Sequence, residues 1–195
     1  MIRPAARGWA ETVITFLEMR TRPDVPRLAA PPGAMIVESE RPTLAFYRFL
    51  YDTVGEPWLW TQRRIMEPNR IAKELNDPRV HLQVLWLDGT PAGFCEMDYR
   101  PNPEIGIAYF GLMPDFIGRG LGRYFLNWAI HRAFDDEATR LFLNTCEHDH
   151  PRALETYIQA GFKPIRREVA HLRVLPGMRE RRTRRTDRDV LNLAS

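Results

Sequence analysis

The stretch Phe110-Gly111-Leu112-Met113-Pro114-Asp115-Phe116-Ile117-Gly118-Arg119-Gly120-Leu121-Gly122-Arg123 constrains this chain most. A run of β-forming residues ends at Leu112, a short loop with a proline follows, and three glycines alternate where a long amphipathic segment begins. Glycine inside a helix costs about 1 kcal/mol relative to alanine, so three of them at a helix entry call for a reason beyond packing. Without Cβ atoms the backbone there can approach a ligand closely. The first N–H groups of a helix have no internal partners and lie at the positive end of its dipole. Together these features build a pyrophosphate site from main chain alone, and Arg119 and Arg123 add charge-assisted contacts. The stretch has no Gly-Lys-Ser/Thr, which excludes a Walker loop. Its glycines read G-x-G-x-G rather than G-x-G-x-x-G, and antiparallel strands precede it, which argues against a dinucleotide-binding oxidoreductase.

The rest of the chain reads as alternating strands and helices. Val13–Met19 is rich in β-formers, and the Pro-rich stretch from Pro23 to Pro32 is a loop. Met35–Glu38 is a short strand. Thr43 is placed to cap a helix through Leu44, Phe46, Tyr47, Leu50 and Tyr51, which breaks near Gly55-Glu56-Pro57. Asn69–Leu75 is a second helix. His81–Leu87 and Ala92–Asp98 flank the hairpin signal Asp88-Gly89-Thr90-Pro91, and after Pro101-Asn102-Pro103 a third strand covers Glu104–Leu112. A helix over Gly118–Phe134, a strand over Arg140–Thr145, a helix over Pro151–Ala160 closed by Gly161, and a strand over Val169–Val174 complete the chain. The order predicts a mixed α/β (α+β) fold: a β-meander followed by β-α-β-α-β, with helices on both faces of one central sheet.

At this point the chain resembles the GNAT superfamily of acetyl-CoA-dependent N-acetyltransferases. That family's acetyl-CoA loop is Arg/Gln-x-x-Gly-x-Gly/Ala, and Ile117-Gly118-Arg119-Gly120-Leu121-Gly122 is similar to it, departing at Ile117, where the family usually has Arg or Gln. A second family signature, Asn-x-x-Ala-x-x-x-Tyr-x-x-x-Gly-Phe, is matched at Ala153, Tyr157, Gly161 and Phe162, with His150 where Asn is usual. The resemblance covers roughly Val84 to Phe162 and implies acetyl-CoA as co-substrate and no metal. It implies that Phe110, Gly111 and Leu112 bond the pantetheine arm, the N–H near Phe110 polarising the thioester carbonyl. It places Ile117, Gly118, Arg119, Gly120, Leu121, Gly122 and Arg123 around the pyrophosphate, the Ile117 main-chain N–H included. It makes Tyr157 the proton donor to the leaving thiolate. His150 either contacts CoA or caps the helix that follows.

An amine must be neutral to attack, so a base, or a water chain to one, is expected. Glu104 and Glu96 are the candidates; Glu104, Gly106, Ala108 and Phe110 share a face by period two. Asn144 ends the strand after the glycine-rich helix and would orient an acceptor. Trp58 and Trp60 flank Leu59, one expected to line an acceptor pocket and the other to pack inward, with Glu56 available to a positive charge. Such a pocket favours an amine with an apolar or aromatic body. Plain core packing remains the competing reading of both tryptophans.

The 195 residues suffice for one domain, read as 1–177 with an acceptor-side region 1–83 and an acetyl-CoA-binding core 84–177. Apolar residues at 44% and charged residues at 27% are ordinary for a soluble globular protein, and no segment approaches the roughly 18 uninterrupted apolar residues of a membrane-spanning helix. Two cysteines make no disulfide framework and no metal cluster, which with the absence of a signal peptide reads as cytoplasmic. Lysine occurs only at Lys73 and Lys163, a usage that points to a GC-rich, bacterial genome. The net charge of +3 sits in residues 178–195, where six arginines face three acids. That run reads as a solvated tail or, alternatively, as a patch for an acidic partner; nucleic acid and membrane are not expected partners. The acceptor is expected to be a small amine. A protein or peptide amine and a catalytically silent acyl-CoA-binding module are the alternatives, and a homodimer is left open.

Overall fold

The computed structural model describes residues 8–178. A run of residues with β-branched and aromatic side chains gives β1 (Trp9–Met19), which starts four residues earlier than the sequence pattern suggested. It is followed by β2 (Ala34–Glu38), α1 (Leu44–Gly55), a 3-10 turn (Glu56–Trp58), α2 (Gln62–Ile65) and α3 (Pro68–Leu75). The meander is β3 (Val80–Leu87), β4 (Thr90–Asp98) and β5 (Glu104–Leu112), and α4 (Leu121–Asp135), β6 (Arg140–Cys146), α5 (Ala153–Gln159) and β7 (Lys163–Arg173) complete the described fold. The Thr43 hydroxyl caps α1 by accepting from the Phe46 N–H at 3.2 Å, a contact worth about 1 kcal/mol. The β3–β4 hairpin turns on Asp88 and Gly89, both at positive φ, the pairing that suits a two-residue turn to strand twist.

All seven strands form one sheet in the order β2-β3-β4-β5-β6-β1-β7. Every neighbouring pair is antiparallel except β5 and β6. The first strand of the chain lies between the last two, pairing Leu17 with Leu143 on one side and Val13 with Val169 on the other. Chain order does not reveal this, because which strands pair is decided by long-range packing.

Alternation along the strands separates two cores. On β4, Cys95 and Met97 pack with α4 and α5 on one face, while Phe94 packs with α1 and α3 on the other. Helix α4 contributes Leu121, Phe125, Leu126, Ala129, Ile130 and Ala133, a buried stripe at helical spacing. Burying each of the larger side chains contributes about 1.5–3 kcal/mol. The expected helix starts differ from those observed. Gly118 and Gly120 hold φ of +85° and +77°, outside the helical region, so α4 begins at Leu121 rather than Gly118. Helix α5 begins at Ala153 rather than Pro151, and β7 is longer than the strand expected over Val169–Val174. Met178, placed at the start of the tail, is buried; the arginine run from Arg179 lies outside the described residues.

Candidate functional site

The site begins with a defect in β5. Glu96 stands opposite Tyr109 and Met97 opposite Ile107, so β5 carries one residue, Ala108, that β4 does not match. Such a bulge bends its strand and reverses which residues face each side. Before it, Ile105 and Ile107 face the core of α4 and α5; after it, Phe110 and Leu112 do so, and Tyr109 turns to the opposite core. Pairing with β6 runs only from Glu104 opposite Arg140 to Ile107 opposite Leu143, and stops at the bulge. The two strands therefore diverge, and a cleft of about 830 Å³ passes between them, lined by Ile107–Leu112 along β5 and by Leu143, Asn144 and Cys146 on β6.

One end of the cleft is the glycine loop. At Gly118 and Gly120 an added Cβ would meet no protein atom within 4 Å, so the space beside this backbone is open and belongs to the cleft. Gly120 is the residue before α4 and supplies no side-chain cap, which leaves the first N–H groups of the helix to an outside acceptor. Arg123 lines the cleft one turn on. Loop and helix end together fit a pyrophosphate group.

Tyr157 of α5 lies between the two ends of the cleft, packed edge-on to Phe162 and Phe110. Burial, and then the negative charge of Asp149, push its hydroxyl above the ordinary tyrosine range, so it holds its proton at neutral pH. The other end is walled by Tyr51, Trp60 and Tyr109, whose ring centroids lie 5.0–5.5 Å apart, and by Trp58, edge-on to His150 at 5.1 Å. Asp149 follows β6 and lines the cleft. It accepts from the Trp60 indole N–H at 3.0 Å, the Thr145 hydroxyl at 2.7 Å and the Cys146 N–H at 2.9 Å.

A family model described as Acetyltransferase (GNAT) family matches residues 43–162, more than half of the chain. The chain belongs to the GNAT acetyltransferase family. Among solved structures it is similar to a GCN5-related N-acetyltransferase from Sphaerobacter thermophilus, with 18% identity and a TM-score of 0.60 over 87% of this chain and 52% of that one. One from Kribbella flavida gives 17% identity and a TM-score of 0.56 over 85% and 58%. An aminoglycoside acetyltransferase from an uncultured soil metagenomic sample gives 13% and 0.54 over 66% and 88%. These likenesses are of fold; the chain spans between half and two thirds of the length of the first three structures it matches. No curated protein sequence matches it significantly.

Within the GNAT fold, the residues singled out from sequence fall into two groups. Tyr157, Phe110, Gly111, Leu112, Ile117, Gly118, Gly120, Gly122, Arg123, His150, Trp58, Trp60 and Asn144 all line the cleft. Both tryptophans do so, where one was expected to pack inward. His150 also accepts from the Arg152 N–H at 3.1 Å through Nδ1, bracing the turn before α5. The Ile117 N–H, expected to face phosphate, donates to the Pro114 carbonyl at 3.3 Å. The Leu121 side chain is turned into the core, leaving only its main chain at the loop, and Arg119 lies over the Phe116 ring outside the cleft lining.

Neither expected carboxylate lines the cleft. Glu104 is paired with Arg140 at 2.9 Å, and the bulge puts it on the face opposite Phe110, because period two fails across Ala108. Glu96 is 1% exposed and is held by Arg63 at 2.6 Å and the Tyr47 hydroxyl at 2.5 Å. Glu56 does not line the cleft either. The carboxylate that does, Asp149, was missed. The only sequence signal for it is its place one residue before His150 in the second family signature.

Proposed function

We propose that this protein is an N-acetyltransferase that moves an acetyl group from acetyl-CoA to a small primary amine by direct attack in a ternary complex. The observation that carries this reading is one continuous cleft with an uncapped helix start at one end, a tyrosine whose hydroxyl is raised above its ordinary range midway and an aromatic wall at the other. When bound, acetyl-CoA supplies an activated acyl carbon. The main-chain N–H groups at the start of α4, with Arg123, hold its pyrophosphate. The unpaired edge of β5 beyond Ile107 holds the pantetheine arm, and the N–H near Phe110 stabilises the charge that develops on the carbonyl oxygen. Tyr157 keeps its proton until the thiolate leaves and then donates it. Trp58, Trp60 and Asn144 wall the acceptor. No described helix is long and apolar enough to cross a membrane.

The test is acetyl-CoA binding by titration calorimetry to the wild type, Gly120→Ala and Gly120→Glu. Alanine adds strain at positive φ, about 1 kcal/mol, and little bulk. Glutamate adds a carboxylate aimed at the pyrophosphate. Micromolar binding that survives in the alanine variant and is lost in the glutamate variant supports the reading. A folded wild type that binds no acetyl-CoA overturns it.

A further inference from the structure

Among the described residues lining the cleft, Asp149 is the one carboxylate. Glu96 and Glu104, the acids of the neighbouring strands, are consumed by Arg63 and Arg140. The indole of Trp60, the Thr145 hydroxyl and the Cys146 main-chain N–H all donate to Asp149, and these neutral donors fix the direction of its carboxylate. Its influence reaches Tyr157, whose proton it helps to retain. The indole bond spans 89 residues of sequence and fastens the loop after the 3-10 turn to the loop after β6. One oriented carboxylate thus faces the cleft, joined to the aromatic wall through Trp60.

We propose that Asp149 binds the acceptor as its ammonium ion, and that the acceptor class is a primary amine carried on a flat apolar body that lies against Trp58, Trp60 and Tyr109. This rests on the acetyltransferase reading. A carboxylate pairs with an ammonium by charge-assisted hydrogen bonds, and aromatic faces add attraction for the same cation. The chemistry closes on these residues. The ammonium gives one proton to the Asp149 carboxylate, which releases it to solvent through the cleft mouth. The freed lone pair forms the C–N bond to the thioester carbon, and the C–S bond breaks. The leaving thiolate takes the Tyr157 proton, and the phenolate recovers one from the new N–H₂⁺ group. The products are one amide, one thiol and one proton.

The probes are 2-phenylethylamine and its neutral isostere 2-phenylethanol, titrated calorimetrically into the wild type and Asp149→Asn, each saturated with CoA. The expected result is an amine bound about tenfold more tightly than the alcohol by the wild type, with the preference gone in the variant. Equal affinities in the wild type, no binding of the amine, or a preference that persists in Asp149→Asn overturns the assignment. Absence of the preference in the wild type overturns the assignment whether or not the variant folds, and if Asp149→Asn does not fold, Asp149→Glu, which keeps the charge, and Asp149→Ala, which removes it, replace it. CoA saturation is read separately: its failure removes the acetyltransferase reading itself and this inference with it, whereas CoA binding without amine preference removes only the role of Asp149.

Discussion

The guanidinium of Arg63 meets the carboxylate of Glu96 at 2.6 Å in the protein interior, the arginine 7% and the glutamate 1% exposed at their side chains. Arg63 belongs to the short helix α2, which neighbours the aromatic wall; Glu96 belongs to β4. The pair therefore clamps the loop that carries Trp58 and Trp60 onto the sheet. The Tyr47 hydroxyl fills the second carboxylate oxygen, and the Arg63 main-chain N–H donates to the Tyr51 hydroxyl at 3.2 Å.

Glu96→Gln should cost about 3–5 kcal/mol, because it strands a buried guanidinium charge without its counter-charge. Replacing both partners, as Arg63→Met with Glu96→Leu, should recover most of that loss, since neither desolvation cost then remains. Urea unfolding of the two variants checks this. If Glu96 were instead a base, the single variant would unfold like the wild type and lose turnover.

Tyr157→Phe should lower kcat by about 10²–10⁴-fold and leave acetyl-CoA affinity within a factor of two to three. The hydroxyl is raised above its ordinary value of 10.0, so the protonated, donating form persists beyond that pH. A pH–rate profile should accordingly show no loss of kcat from this group below about pH 10. A fall centred near neutrality that disappears in the phenylalanine variant would contradict the assignment.

How far these residues were legible in the sequence follows from how local their geometry is. The glycines at 118, 120 and 122 belong to one turn and helix entry and stand out by local pattern, and Tyr157 stands out through the resemblance carried by the helix that holds it; all four line the cleft. The bulge at Ala108 exists only relative to β4, so period two misassigned the face of Glu104. Asp149 acquires its setting from Trp60 and Thr145, and the first of these is on another loop. Likewise β1 shows nothing in its own residues of its place between β6 and β7. Period and propensity report on neighbours in sequence; pairing across a sheet does not.

Acid should destabilise the protein over a defined window. Asp77, bonded by the Arg79 side chain and main chain, falls from 3.8 to about 2, and Glu18 and Asp135 are lowered by their arginine partners. A carboxylate lowered in the folded state contributes stability above its unfolded value, and that contribution is lost as pH falls through the folded one. Tm should hold down to about pH 4 and drop between pH 4 and about 2. These pairs lie at the surface, so 0.5 M salt should shrink the drop. A Tm that falls mainly between pH 7 and 5 would point to other groups.

The Pro-rich loop between β1 and β2 is strapped to α4 by a few polar contacts. Asn127 accepts from the Leu28 N–H at 2.9 Å and donates to the Pro26 carbonyl at 3.2 Å, and the His131 Nε2 reaches the Val25 carbonyl at 3.0 Å. Pro23, Val25 and Leu28 line the cleft through this attachment. Asn127→Ala should remove both asparagine bonds, cost about 1–2 kcal/mol, and raise the rate of limited proteolysis between residues 20 and 33. Asn127→Asp keeps the acceptor for Leu28 but sets an anion against the Pro26 carbonyl in place of a donor. It should therefore loosen the loop as well, at least as far as alanine does if the donor bond is the stronger contribution. Cleavage rates in all three proteins at one protease concentration decide this: a loop equally resistant in each would mean that its prolines, rather than Asn127, hold it in place.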